Sequence, residues 1–482
     1  MVAGRREFMS YFLKEQMEEL IHNHKKIKPY FLLPASDTSY STQVLRNKLF
    51  GKPIEEEEPF TIQPNQILIG FKSPEYSLYN PVVIDVGAYI RLGGKVERQS
   101  KVFAILGRKG SGKSVDMGIL IDAYHYAFHL PILIIDPYGE FHTHVHPFAY
   151  TKPPQYQAFI TEFLSQFGLK PKGLKLKVIA PEILRNEQDT NIDRYFSISY
   201  YDIRQIMKYS KMDAISALIN LLGLADNDAN ADLLLSVIND NIYTWSDLMN
   251  AMKKIKESNV KTIFYRIKSR LRAGIITDDE SKGLNILKEL AENEAVVVRG
   301  KLRNVEDDDY ITQIYNAYIQ ILITTAVLDI KTYLETNGKA QTYLKNDQGI
   351  LIAIDEIDSL APATGKASIR DTITQLATKY RKSMVNLVFA TQSAKKVDST
   401  LLEQVDYLIV STIDDTNANA LTTLNISEEW LLVLRQLKQG IITNIQTKVS
   451  QKALINPKTA DPASKVVIYY PICPLSQFYE AG

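Results

Sequence analysis

Short, wholly apolar runs alternate along this chain with longer stretches of helical spacing, and their order is its most informative property. Residues 102–106 are apolar throughout and end at a glycine. Residues 114–129 follow with helical character, and 132–135 are apolar again, ending at Asp136-Pro137. A strand apolar at every position is buried on both faces, as in a parallel sheet covered by helices. Strand, loop, helix, strand in that order predicts an α/β fold on a mostly parallel sheet. Further strands are predicted at 295–298, 350–354, 385–390 and 407–411, and helices at 311–333 and 369–383. Residues 155–293 read as mostly helical with many polar breaks, inserted into one α/β core.

The ends differ from the middle. Residues 8–25 place Met9, Phe12, Leu13, Met17 and Leu20 on one helix face, and 51–59 (GKPIEEEEP) read as an acidic linker. Residues 67–71 and 81–84 read as short strands, and 451–482 as an extended tail with a strand at 466–470. The expected division is an N-terminal helix and reduced β region over 1–95, the core over 96–450 and the tail over 451–482.

Composition narrows the function. The 482 residues carry a formal net charge of +1, so nucleic acid would have to be held by a local basic patch rather than a global field. The single cysteine, Cys473, excludes an internal disulfide and fits a reducing, cytoplasmic setting. No run approaches the roughly 18 apolar residues of a membrane span. The most apolar central stretch, 319–327, is interrupted by Gln320, Thr324 and Thr325. Arg5, Arg6 and Glu7 are followed by an amphipathic stretch, not the apolar core of a signal peptide. Membrane contact is therefore expected only through a partner.

Residues 107–114 read Gly107, Arg108, Lys109, Gly110, Ser111, Gly112, Lys113, Ser114, matching G-x-x-x-x-G-K-[ST] at every fixed position. The glycines let the backbone curl so that successive N–H groups face one phosphate. The helix that follows points its partial positive end at the same anion. Lys113 reaches the β- and γ-phosphates of ATP, and the Ser114 hydroxyl can ligate Mg²⁺. A chance match is the bland alternative, expected in roughly one or two per cent of chains this long. The flanking strand and helix argue against it.

The strand at 350–354 runs into Asp355-Glu356. Carboxylates just beyond a strand's C-terminal end stand where ligands of open α/β sheets bind. Asp355 is expected to hold Mg²⁺ directly or through water, and Glu356 to act as general base on the attacking water. Gln392, at the end of the strand at 385–390, can sense the γ-phosphate. Arg381, just before that strand, can act on a neighbouring subunit's ATP. His142, His144 and His146 alternate; on a strand they would share a face and could bind zinc, but no cysteine is near and Pro147 follows, so a solvated or partly packed loop is the main reading. Residues 363–370, with Gly365, Lys366 and Arg370, could form a DNA-contacting loop or a plain surface loop.

Together these segments resemble the HerA/FtsK superfamily of ring-forming, DNA-pumping ATPases, closest to the HerA branch of archaeal or mobile-element type. The resemblance runs from the lead-in to the phosphate loop through Asp136-Pro137-Tyr138-Gly139-Glu140-Phe141, the strand at 295–298, the strand before Asp355-Glu356, and Tyr380-Arg381-Lys382 with Ala390-Thr391-Gln392. It covers about residues 80–445. It implies a RecA-like core in a homo-hexameric ring, Mg·ATP between subunits, double-stranded DNA in the channel, Arg381 as the trans-acting finger and Gln392 as sensor. A nuclease or a membrane-associated secretion machine are partners of such motors. The sequence departs from the family where Ser393-Ala394-Lys395-Lys396 replaces the usual Arg-Pro and where the N-terminal barrel is reduced or replaced. Repair, conjugation and viral packaging roles stay open, as do a protein-moving motor and an assembly switch that translocates nothing.

Overall fold

A wholly apolar strand is stable only with both faces covered, and this chain meets that requirement with one large sheet between two helical layers. The computed structural model describes residues 66–72, 81–85, 89–92, 95–98, 100–145, 154–165, 169–170, 172–185, 191–225, 227–256, 258–300, 309–347, 349–363, 369–411, 421, 426, 428–437, 439–442, 447–459, 466–471 and 480–481. The helix expected over 8–25 and the linker at 51–59 lie outside the described residues.

The sheet has twelve strands: β1 (Gln66–Phe71), β2 (Pro81–Asp85), β3 (Val102–Leu106), β4 (Ile132–Asp136), β5 (Leu176–Pro181), β6 (Arg194–Phe196), β7 (Ala295–Arg299), β8 (Ile350–Ile354), β9 (Val385–Thr391), β10 (Tyr407–Val410), β11 (Lys452–Ile455) and β12 (Val466–Pro471). Their spatial order is β2-β1-β12-β11-β10-β3-β9-β8-β4-β7-β5-β6. From β10 to β6 every neighbouring pair is parallel. Beyond β10 the pairs are antiparallel.

Side chains leave each strand by parity. Phe103 and Ile105 of β3 enter the layer that holds Met117, Leu120, Ile121 and Tyr124 of α1 (Lys113–Phe128) and Ile160 and Leu164 of α2 (Pro154–Ser165). Val102, Ala104 and Leu106 enter the opposite layer. That layer contains α3 (Tyr200–Met207), α4 (Lys211–Leu222), α5 (Asp228–Val237), α6 (Trp245–Met252), α7 (Ser258–Arg272), α8 (Ile286–Glu292), α9 (Asp309–Glu335) and α10 (Arg370–Ala377). Its short helices start at side-chain caps: Ser199 with Asp202 and Thr244 with Asp247 form capping boxes, and Ser210, Asn227 and Asn285 accept first-turn N–H groups. Trp245 is fully buried, its Nε1 donating to Ile198 O at 3.1 Å.

Three expectations change. Residues 155–293 are not simply a helical insertion, because β5 and β6 within them extend the parallel sheet. β6 is the edge strand and β5 its inner neighbour, and polar positions such as Lys177 and Arg194 blur their apolar signal. The segment read as a tail supplies β11 and β12, which join β10 to β1, so the sheet runs across residues 95 and 450 without interruption. The helix expected over 369–383 ends at Ala377; a 3-10 turn at Tyr380–Ser383 and left-handed Met384 (φ 57°) then redirect the chain into β9.

One described helix, Tyr310–Glu335, is long and apolar enough to cross a membrane, yet 83 % of its apolar window is buried in the protein. It carries Asp329, fully buried, which accepts hydrogen bonds from Tyr209 Oη and Leu344 N, each at 2.8 Å. That is a core helix between strands and helices.

Candidate functional site

The parallel arrangement brings the C-terminal ends of β3, β9, β8 and β4 to one edge, side by side. At the end of β3, Gly107 N donates to Thr391 O at 3.3 Å. A Cβ on Gly107 would lie 2.3 Å from Ser111 Oγ, so only glycine allows the loop to fold back on itself there. Gly110 and Gly112 take φ of 77° and 87°, values that glycine adopts without strain. Gly112 is the N-cap of α1 and supplies no side-chain hydrogen bond to the helix. The first amides of α1 are thus left to face an anion. Arg108 and Lys109 are exposed at the loop tip, and Ser114 is half-buried one residue into the helix.

Across from the loop, the backbone after β8 carries Asp355 and Glu356. Glu356 has φ 48°, the left-handed region, which is strained for a residue other than glycine and directs its side chain back toward the loop. Glu356 Oε1 lies 3.7 Å from Lys113 Nζ and accepts from Gln392 Nε2 at 2.7 Å. Thr391 Oγ1 donates to Asp358 Oδ1 at 3.0 Å, tying the end of β9 to the turn after Glu356. Asp136, at the end of β4, accepts from Gly139 N at 2.7 Å and Phe141 N at 2.9 Å. The Asp136-to-Phe141 signature is therefore a carboxylate-capped turn beside Asp355.

Charge at this edge is unbalanced. Burial, followed by the neighbouring charges of Glu356, Asp136 and Glu140, pushes the Asp355 carboxyl up to about 7, with Lys113 opposing. Asp136 is likewise raised by burial, against the amides it accepts from. Of the described groups that shift Asp355, Lys113 is the one cation. A divalent cation would relieve this imbalance, and the donors fit one: Asp355 and the Ser114 hydroxyl are oxygen ligands of the hard type Mg²⁺ prefers. The loop and uncapped helix start fit the polyphosphate of ATP. The structure thus brings Lys113, Asp355, Glu356 and Gln392 together with the loop residues.

It does not bring Arg381 there. Arg381 sits in the 3-10 turn before β9, at the N-terminal edge of the parallel strands, about 20 Å from the loop by the rise of β9. Its guanidinium pairs with Asp406 Oδ1 at 2.5 Å and donates to Ser100 O at 3.2 Å. Asp406 also accepts from Val102 N at 2.9 Å and Lys458 Nζ at 2.7 Å. Within this chain Arg381 ties β3, β9 and β10 together.

The zinc alternative for the histidines required a strand, whereas Phe141–Val145 is a 3-10 helix; His142 Nδ1 contacts Gly139 O at 2.8 Å. His146 lies outside the described residues, and among those described no group of three metal-ligating side chains occurs. In the suggested DNA loop, residues 364–368 also lie outside the described residues, and Arg370 Nε is 3.7 Å from Asp398 Oδ2.

Sequence reasoning missed Lys452. This first residue of β11 is 2 % exposed and lies beneath the phosphate loop. Its Nζ donates to Ser111 O at 2.5 Å and Ser411 Oγ at 2.7 Å, and forms an ion pair with Asp116 Oδ2 at 2.8 Å. Because a trans peptide opposes its C=O and N–H, holding Ser111 O inward turns Gly112 N–H outward, toward the phosphate position. Burial raises the Asp116 carboxyl and Lys452 counters it. The contact spans 341 residues, so no local pattern could have announced it.

A family model described as the central domain of the helicase HerA matches residues 88–446. No curated protein matched the chain. Among solved structures, VirB4 of Thermoanaerobacter pseudethanolicus is similar at 15 % identity and TM-score 0.47, over 86 % of this chain and 97 % of that one. The genome packaging NTPase B204 from Sulfolobus turreted icosahedral virus 2 gives 13 % and 0.29, over 78 % and 98 %. The bacterial conjugative coupling protein TrwB gives 13 % and 0.36, over 81 % and 87 %.

Two outcomes follow from this geometry. The raised Asp355 carboxyl holds its proton more tightly folded than unfolded, so its contribution to stability falls as pH rises from about 4 to about 7. Binding of Mg·ADP favours the charged form and expels that proton. The rise in melting temperature on adding Mg·ADP should therefore be larger at pH 8 than at pH 6, and Asp355→Asn should abolish the difference; equal shifts at both pH values would refute the assignment. Second, Lys452→Met leaves Asp116 buried and uncompensated and should cost about 3–5 kcal/mol. Lys452→Met with Asp116→Leu should recover stability yet bind ATP roughly tenfold more weakly, because nothing then aims Gly112 N–H. Parent-like affinity in that double variant, measured by calorimetry, would show that Lys452 only stabilises.

Proposed function

This chain belongs to the HerA helicase central-domain family and is an ATPase; on that premise we propose that it is an ATP-driven translocase of double-stranded DNA working as a homo-hexameric ring. The observation that carries the reading is the Lys113–Glu356–Gln392 cluster facing an uncapped phosphate loop at one edge of the sheet. It is a hydrolytic arrangement in which every polar group already has a place in the reaction.

The loop amides and Lys113 bind the β- and γ-phosphates. Ser114 and Asp355 would hold magnesium, which would supply electrostatic neutralisation of the phosphate oxygens. When Lys113 turns to phosphate, Glu356 loses its cationic neighbour and becomes a better base for the attacking water. Gln392, bonded to Glu356 Oε1, spans general base and γ-phosphate and can orient that water. Arg381 is assigned to the neighbouring subunit's ATP, against the alternative that its Asp406 pair is purely a tether.

Steady-state ATPase rate, measured with and without linear duplex DNA across a salt series, tests the function. The expected result is severalfold stimulation that fades as salt rises, since phosphate contacts are lost with counterion competition. Glu356→Gln should bind ATP as the parent does and show no turnover above background. A rate indifferent to DNA would move the protein to the secretion-motor or assembly-switch class. For Arg381, mixing an Arg381→Ala chain with a Lys113→Ala chain should restore turnover in rings where the two are adjacent. No recovery would assign Arg381 to holding β3, β9 and β10.

A further inference from the structure

The near-zero net charge conceals an uneven distribution. Residues 253–272 hold eight lysines and arginines and one acid, Glu257. Most of that charge falls on α7. The inner side of α7 is Val260, Ile263 and Ile267, all buried, with Arg270 buried beside them and stacked on the Tyr310 ring at 4.6 Å. At helical spacing Lys261, Tyr265, Lys268 and Arg272 fall in one stripe, at i, i+4, i+7 and i+11. All four are exposed, Tyr265 by 68 %. Thr262, Arg266 and Ser269 flank the stripe and are also exposed. Every exposed side chain between 261 and 272 thus carries a hydrogen-bond donor, and none is acidic.

Other helices of this layer balance their surface. Lys288 pairs with Glu292 at 3.8 Å on α8, and Lys331 with Glu335 at 3.6 Å on α9, both at i,i+4. Among the described residues the α7 cations form no such pair. A face meant only for water gains a few tenths of a kcal/mol from i,i+4 pairing and has no reason to avoid it.

We propose that this face of α7 docks the phosphate backbone of duplex DNA, away from the ATP site; the inference rests on the reading of the chain as a DNA motor. The stripe is about 16 Å long by helix rise and so faces several phosphates of a duplex. Lysine, arginine, serine, threonine and tyrosine are the side chains that contact phosphate without reading sequence. A protein partner would require an apolar centre, and this face has none beyond the Tyr265 ring.

The test is equilibrium binding of the full chain to a fluorescent 30-base-pair duplex over a salt series. Lys261→Gln/Lys268→Gln/Arg272→Gln should weaken binding at least tenfold at about 0.1 M salt and lower the slope of log K against log salt by two to three, since each lost phosphate contact contributes about 0.9. DNA stimulation of ATPase should fall in step, while the DNA-free rate and melting temperature stay at parent values. A charge-matched control, Lys282→Gln/Lys288→Gln/Lys331→Gln, should bind within twofold of the parent. If the α7 variant keeps the parent's affinity and slope, or if the control loses as much, the assignment to α7 is wrong while the DNA reading survives. If the parent itself binds no duplex at low salt, the motor reading fails and the docking face with it. Loss of binding to phosphatidylserine vesicles with unchanged DNA binding would overturn the proposal in favour of a membrane surface.

Discussion

Parallel strands all end on the same side, and the rest of this protein is arranged around that constraint. Eight neighbouring strands, from β10 to β6, share one direction, so loops leaving β3, β4, β8 and β9 meet at one edge. Phosphate loop, acidic turn, Asp355-Glu356 and Gln392 need no long-range fold of their own; each stands at the C-terminal end of a largely apolar strand. The opposite edge is structural by the same logic. There Asp406 gathers Val102 N, Arg381 and Lys458, fixing where the strands start and hence where they stop.

Two lysine–carboxylate networks stand on either side of the phosphate loop. Above it, Lys113 faces Glu356 with Gln392 bonded to the same oxygen, and Glu356 keeps partial contact with solvent. Below it, Lys452 and Asp116 are enclosed, the lysine bonded to Ser111 O and Ser411 Oγ and ion-paired with Asp116. The contrast in burial separates the roles. An enclosed ion pair is costly to disturb and suits a fixed frame. A lysine at 3.7 Å from its carboxylate, too long for a strong hydrogen bond, suits a group that must turn to a ligand.

What could be read in advance follows the same division. The phosphate loop, Asp355, Glu356 and Gln392 were legible because each is adjacent in sequence to the strand that positions it. Strands β3, β4, β7, β8 and β9 were legible because burial on both faces leaves little room for polar residues, Asn386 in β9 being the exception. Legibility failed where a partner distant in sequence decides. Lys452 is one lysine before an apolar run until β11 lies beside β10. β6 is the edge strand and β5 its inner neighbour, and polar residues interrupt their signal. His142 and His144 alternate by spacing, but the turn capped by Asp136 coils them into a 3-10 helix. Arg381 was placed by resemblance in a neighbour's site, and within this chain it is bonded to Asp406 and Ser100.

Packing also joins the basic face to the catalytic edge. α7 lies on α4 and α6; α4 packs against α9, with Asn220 Nδ2 donating to Gln320 Oε1 at 2.6 Å; and α9 packs on β8, which leads directly into Asp355 and Glu356. These layers are largely apolar, although a cleft lined by Asn220, Gln320 and Gln375 opens between α4, α9 and α10. The residue at the end of β8, Glu356, already holds a left-handed backbone that its surroundings must impose. A small displacement of β8 would thus be felt first at Glu356, among the groups that flank the phosphate site.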